Sequence, residues 1–265
     1  MALADETRQQ RQKLKGKSLK EKLSYFWDYY KIHTIVVIAI AAAAISIVHS
    51  IVTNKPSVFA FTALNASIPD DAYDTMYGEI TDALGIDTKE QGVTLDLQEY
   101  LTPGGDSSQY DIATRQKIFA ETAAASLDVM VADQHNFDAY AKNGTFGDLR
   151  DYLSDEQMGK YQADLYYVDM KEIEKFQKEM DSPDFMTKPK EDPEDIVKEE
   201  MLDGFTMPDP DTMEEPVPLG IVINKTPFNE KYSAYPSVVG IAGIMTNTVN
   251  EEYSTEFIDY LYAAK

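Results

Sequence analysis

The chain has 265 residues, 43% of them hydrophobic, which is enough for one large domain or two small ones around a real core. Its net charge is −22, and so acidic a body repels nucleic-acid phosphates, which excludes DNA and RNA as partners. It has no cysteine, and this excludes disulfides, thiolate nucleophiles, cysteine-ligated metals and a lipoprotein anchor together.

The charge is unevenly placed. Residues 1–33 carry eight Lys or Arg against four Asp or Glu, a net of +4, while the remainder carries 16 against 42, a net of −26. The basic head reads as a cytoplasmic, juxtamembrane segment. Within 9–30, Leu14, Leu19, Leu23 and Phe26 recur at roughly helical spacing among lysines. Two readings stay open there: an amphipathic helix lying on the inner leaflet, or a solvated tail.

Residues 34–53 read TIVVIAIAAAAISIVHSIVT, without formal charge if His49 is neutral. Twenty helical residues span about 30 Å, the thickness of a bilayer's hydrocarbon core. A transmembrane helix is therefore expected, with the lipid bilayer as its partner. The basic residues precede it and only Lys55 follows closely, so the N-terminus belongs in the cytoplasm and the remainder outside. Tyr25, Phe26, Trp27, Tyr29 and Tyr30 stand where an aromatic belt would lie, with Lys31 placed to snorkel. The bland alternative is a buried core helix. The closer rival is a cleaved signal peptide, since Val48-His49-Ser50 resembles a small-residue cleavage site. Its basic region would exceed the usual length, however, and the apolar run outlasts the usual ~7–15 residues. The expectation is an uncleaved, single-pass anchor in the cell membrane.

Beyond Pro56, strand and helix signals alternate. Residues 58–64 (VFAFTAL) form a short β-prone run, and 70–84 repeat apolar residues at helical spacing up to Gly85. Residues 93–100 alternate with period two, 112–125 read as helix, 127–132 as a buried strand and 136–142 as a short helix. This β-α-β-α-β-α order implies a parallel sheet with helices on both faces, and ligands collect beyond the carboxyl ends of such strands.

The stretch LDVMVADQHNFDAYAKNGTFGDLRDYL at 127–153 resembles bacterial extracellular solute-binding proteins of the type 2 periplasmic-binding fold. The pattern is carried by Asp128, Tyr140, Ala141, Gly144, Asp148 and Leu149, and the closing VVGIAGIMTNTVNEEYSTEFIDYLYA is similar to the final strand, Asn-rich turn and helix of that fold. The resemblance implies an α/β, two-lobed domain with parallel or mixed sheets over 56–265. The departures are its small size, the missing lipobox cysteine and the single tryptophan, Trp27, which leaves no second indole to stack on a sugar.

Residues 151–215 hold 21 acids against seven lysines, and proline mixes with acid near 181–216 as in a solvated insertion. Before it, 171–180 suit a helix with Glu174–Lys178 at i,i+4. A calcium site using Asp203, Asp209, Asp211, Glu214 or Glu215 is the sharper reading, but the glycine of an EF-hand loop is missing. No metal or other cofactor is expected.

Catalysis finds little support. His33 and His49 flank the apolar run, which leaves His135 alone in the acidic body, and no nucleophile elbow, zincin or phosphate-loop motif occurs. Two sequons, at Asn65 and Asn143, read better as a strand end and a turn. The chain is expected not to be an enzyme. The leading expectation is a membrane-tethered solute-binding-like protein that holds a small solute between two lobes and presents it to a transporter permease. Ligand residues would then come from the strand ends: Asn65 and Ser67, Tyr100, and Asp133, Gln134 and His135. The alternative is a structural or regulatory single-pass membrane protein whose outer domain contacts protein partners without a ligand. Its support is the connector, since only Asn54 and Lys55 separate the apolar run from Pro56.

Overall fold

A computed structural model of the chain describes residues 18–53, 55–103, 108–180, 182, 195–196 and 201–264. It divides into two units, Met1–Lys55 and Pro56–Lys265.

Among the described residues of the first unit stands one helix, α1 (Leu19–Thr53). Ser18 starts it with a capping box: the Ser18 N–H donates to Glu21 Oε2 at 2.9 Å, and the Glu21 N–H returns to Ser18 Oγ at 3.4 Å. Within α1, Lys31–His49 is long and apolar enough to cross a membrane. A core helix would hide its isoleucines, whereas Ile35, Ile38, Ile40, Ile45 and Ile47 are all exposed. A signal sequence meets the same criteria of length and composition. Residues 19–30 continue the helix without a break, and the start of the expected 9–30 segment lies outside the described residues.

The second unit opens with β1 (Ser57–Leu64), α2 (Tyr73–Ala83), β2 (Gly92–Glu99), α3 (Gln109–Ala123), β3 (Val129–Asp133) and α4 (Gln134–Lys142). These are the six elements expected from periodicity, with ends moved by a few residues. Gly85, at φ +62°, stops the turn after α2 as its position in the sequence suggests. Then come α5 (Leu149–Tyr152), α6 (Asp155–Tyr161), β4 (Leu165–Asp169), α7 (Met170–Met180), β5 (Pro216–Val222), α8 (Pro227–Tyr232), β6 (Gly240–Ile244) and α9 (Glu251–Ala263).

All six strands join one mixed sheet in the order β2-β1-β3-β6-β5-β4. β1 runs parallel to β2 and β3, as the β-α-β pattern requires. The second half departs from a parallel sheet, because β6 lies antiparallel to β3 and β5, and β4 antiparallel to β5. The six residues of α8, about 9 Å long, are short beside the crossover helices that return a chain to a parallel strand. Two lobes would divide the strands between two sheets, but the described strands form one.

Strand alternation builds a core on each face. Phe59 and Phe61 of β1, with Val129 and Val131 of β3, point to the face covered by α2, α8 and α9 through Met76, Ile80, Phe228, Phe257 and Leu261. Ala60, Leu64, Met130 and Ala132 point to the other face, covered by Ile118 of α3, Phe137 of α4 and Ile173 of α7. Gly243 leaves room there: a Cβ at that position would stand 2.6 Å from Phe146, which stacks on Phe137 at 4.2 Å. Much of the acidic insertion lies outside the described residues. Its described end returns to the domain, where the Leu202 N–H donates to the Ser237 carbonyl at 3.0 Å and Met201 forms a bridge with Val238.

Asp128 joins these parts. Fully buried, its carboxylate accepts from the Ala60 N–H at 2.8 Å, from Thr248 Oγ1 at 2.5 Å and from Asn250 Nδ2 at 3.2 Å. Its backbone exchanges hydrogen bonds with Ala60 and Met245. One residue therefore ties β1, the start of β3 and the turn leading into α9. Asp128→Asn is expected to cost about 1–3 kcal/mol, and Asp128→Ala about 3–5 kcal/mol because it also orphans buried donors. Urea denaturation of the full chain in detergent measures both.

Candidate functional site

In an open α/β sheet, ligands sit beyond the strand ends where successive helices leave to opposite faces. Here α2 follows β1 on one face and α4 follows β3 on the other, so that place lies between the ends of β1 and β3. Tyr235 fills it. The ring is buried, and its hydroxyl donates to the Leu64 carbonyl at 2.7 Å with the Val131 carbonyl a second acceptor at 3.0 Å. Burial, then the nearby Asp133 charge, raise the phenol's pKa well above its ordinary value, so the hydroxyl keeps its proton and remains a donor.

The loop carrying Tyr235 is held by two asparagines. Asn229 Oδ1 accepts from the Tyr235 N–H at 2.8 Å. Asn224 Nδ2 donates to the Tyr235 carbonyl at 3.0 Å, while its Oδ1 accepts from the Gly240 N–H at 2.9 Å. Gly240 allows the close approach, since a Cβ there would lie 2.6 Å from the tyrosine ring.

The strand-end residues expected to bind a ligand surround this plug. Asn65, at φ +57°, clamps the ends of β1 and β2: its Nδ2 donates to the Leu101 carbonyl at 3.0 Å and its Oδ1 accepts from the Leu101 N–H at 2.7 Å. Ser67 is exposed, and its N–H donates to the Ala234 carbonyl at 2.7 Å. Asp133 caps α4 through the Asn136 N–H and holds the Asn136 amide. Gln134 and His135 are half-buried in the first turn of α4, with Gln134 Nε2 3.3 Å from the Tyr166 hydroxyl. Tyr100 is exposed beyond β2. The structure thus gathers most of them at one end of the sheet, but Asn65 and Asp133 bind the chain itself. The Asn143 sequon likewise falls at the end of α4, its Nδ2 donating to the Ala139 carbonyl at 2.8 Å.

Among the described residues of the second unit, hollows open elsewhere, and two of them bear on function. The larger, about 590 Å³, lies between α3 and α4. Ser108 starts α3 by accepting the Asp111 N–H, and Asp111 in turn accepts the Thr102 N–H at 3.0 Å. The buried stripe of this helix is Asp111, Thr114 and Ile118, so a neighbouring stripe of Arg115, Phe119 and Thr122 faces the hollow. Tyr140 and Asn143 face it from α4. The floor holds Asn247, whose Nδ2 donates to the Thr122 carbonyl; its Oδ1 is buried and has no partner among the described residues.

The smaller hollow, about 390 Å³, is lined by Asp138, Lys142, Tyr166 and Asp169. The Tyr166 hydroxyl donates to Asp138 Oδ1 at 3.0 Å. Burial pushes the Asp138 carboxyl up to about 6, with the Asp133 charge adding, against the pull of Tyr166, Lys142 and Gln134. Among the described residues no three His, Asp or Glu side chains converge as metal ligands. Of the acids considered for calcium, Glu215 pairs with Lys171 at 2.9 Å and Asp209 caps its own turn.

Comparison with known protein families, curated proteins and solved structures finds no match. No local sign in the sequence singles out Tyr235, one tyrosine among 17. Phe119 carries a weak one, as an aromatic residue seven after Ile112 on the polar side of a helix.

Two outcomes test these assignments. Tyr235→Ala is expected to lower stability by about 3–5 kcal/mol and to leave a strand-end cavity. Millimolar p-cresol, the lost side chain as a free molecule, should then raise the variant's melting temperature and leave the parent's unchanged. At Asp138 the folded chain holds a proton that the unfolded chain sheds near pH 3.8. Its contribution to stability is therefore full below that pH, declines as pH rises to about 6 and is flat above. Asp138→Asn removes the decline, so its stability relative to the parent should rise between pH 4 and 7 by on the order of 2 kcal/mol.

Proposed function

We propose that the chain is a membrane-anchored structural or regulatory component whose folded domain works by contacting protein partners, with no solute held at its strand ends. The observation that carries this reading is the buried Tyr235, which occupies the place where an open sheet offers its ligand site. The use of Asn65 and Asp133 in internal bonds supports it further. In this reading α1 crosses the cell membrane once through residues 34–53, with the basic head cytoplasmic and the acidic domain extracytoplasmic. The connector of Asn54, Lys55 and Pro56 between Thr53 and Ser57 suits a subunit that stays beside its partners better than a receptor that shuttles cargo. No catalytic residue is assigned.

A second reading rests on the three parallel strands, each followed by a helix. It makes the domain a relative of type 2 periplasmic-binding proteins that takes a small solute and passes it to a permease. That would require a second lobe and a ligand site away from the plugged crevice.

The cysteine-free chain makes topology simple to test. With an impermeant maleimide on intact cells, Val249→Cys should label, and Ser18→Cys should label only after permeabilisation; the reverse pattern would overturn the orientation. Thermal-shift screening of the full chain against sugars, amino acids, peptides and metal ions should give no stabilisation. A ligand at 100 times its dissociation constant adds about 2.7 kcal/mol, so one clear hit would restore the solute reading.

A further inference from the structure

The exposed side of α3 differs in chemistry from the rest of the domain. Residues 56–265 hold 42 acids against 15 Lys or Arg. Helices α2, α6, α7 and α9 each expose two or more of those acids, as Asp74 and Asp82 on α2 and Glu172 and Glu174 on α7 illustrate. Helix α3 exposes none, since Asp111 is buried and Glu121 half-buried. Nor does any Asp or Glu stand among the described residues that line the adjoining hollow. The middle of the exposed side is instead Ile112, Gln116, Phe119 and Ala123, at i, i+4, i+7 and i+11 of the helical repeat. Ile112 is 44% and Phe119 75% exposed. The helix beneath them is fixed by buried Ile118 and by Lys117, which donates to Glu99 at 2.7 Å.

Two constraints name what such a flank meets. The first is distance. Thr53 ends α1 and Ser57 begins β1, so even a fully extended chain between them reaches only about 14 Å. A domain tethered that closely to a bilayer always has one flank turned toward it, whereas a soluble partner must arrive by diffusion. The tether acts as a high local concentration, which makes a weak contact sufficient. The second constraint is charge. A surface containing anionic lipid repels a flank that bears exposed carboxylates and does not repel an acid-free one. Isoleucine and phenylalanine on one side of a helix laid along the surface are side chains that enter the boundary between headgroups and acyl chains.

We propose that the domain rests on the membrane surface through the exposed side of α3, with Ile112 and Phe119 seated among the lipid headgroups. The assignment rests on α1 crossing the bilayer, as in the reading above. It leaves the acidic flanks of the domain to protein partners.

Because the chain has no cysteine, a single spin label can report each position in the full chain. The chain is reconstituted in nanodiscs of phosphatidylcholine and phosphatidylglycerol in equal parts. Gln116→Cys places a label between Ile112 and Phe119 and keeps both. Thr75→Cys places one on α2, which covers the other face of the sheet, and Ile40→Cys places one within α1. A label seated about 5 Å deep meets lipid-soluble oxygen more often than an aqueous nickel chelate, so the ratio of the two at 116 should exceed that at 75 roughly five-fold. Adding Phe119→Asp should return position 116 to the ratio at 75, and Phe119 is too exposed for its loss to unfold the domain. Equal ratios at 116 and 75, or a ratio at 116 that ignores Phe119→Asp, would overturn the contact. So would shielding of 116 from both reagents, the mark of a second copy lying over the helix. Position 40 separates the two levels of claim. A lipid-like ratio at 40 with a water-like one at 116 sinks the contact alone, and a water-like ratio at 40 sinks the anchor and the contact with it.

Discussion

The buried carboxylate of Asp128 is the contact on which the folded domain depends. It bonds to Ala60, 68 residues earlier, and to Thr248, 120 residues later. A charge taken out of water in this way is tolerable only when each oxygen is met by donors, and here the donors come from a strand, a turn and the lead into the last helix. Asp128 thus adds a polar fastening between the parallel half of the sheet and the lead into α9, beside the packing of Phe257 on Phe59 and Phe61. That fastening sits where β3 begins, at the opposite end of the strand from the plugged crevice.

The other end of the sheet is fastened by different chemistry. Tyr235 bonds to the carbonyls of β1 and β3, Asn65 bonds β1 to the end of β2, and Asn224 and Asn229 hold the loop in place. An end tied this tightly gains rigidity and gives up the crevice that sheets of this kind commonly use for ligands. The surfaces left open lie on the flank of the domain, around α3 and α4. The proposed partner-contact reading rests on this division between a closed end and an open flank.

The sequence revealed the local features and missed the distant ones. Periodicity placed β1 to β3 and α2 to α4, because apolar spacing reports which face of an element is buried wherever that face lands. The cap that Asp133 makes on α4 is local in the same sense, since its partner Asn136 lies three residues on. Strand direction in β4, β5 and β6 was not readable, since an apolar run looks alike whichever way its neighbour runs. Tyr235 was invisible for a stronger reason: its partners lie 171 and 104 residues away. The 127–153 resemblance drew attention to Asp128, yet its role as a fastening came only from contacts that no spacing rule reaches. Phe119 lies between these cases, because α3 was legible but the uncovered side of the helix depends on what packs beside it.

The closeness of Tyr235 to Gly240 also couples the two positions in substitution. With tyrosine at 235 there is no room for a Cβ at 240, which would stand 2.6 Å from the ring, whereas glycine at 240 puts no side chain in the way of a smaller residue at 235. Tyrosine at 235 is therefore expected to tolerate only glycine opposite, while the glycine makes no matching demand for tyrosine.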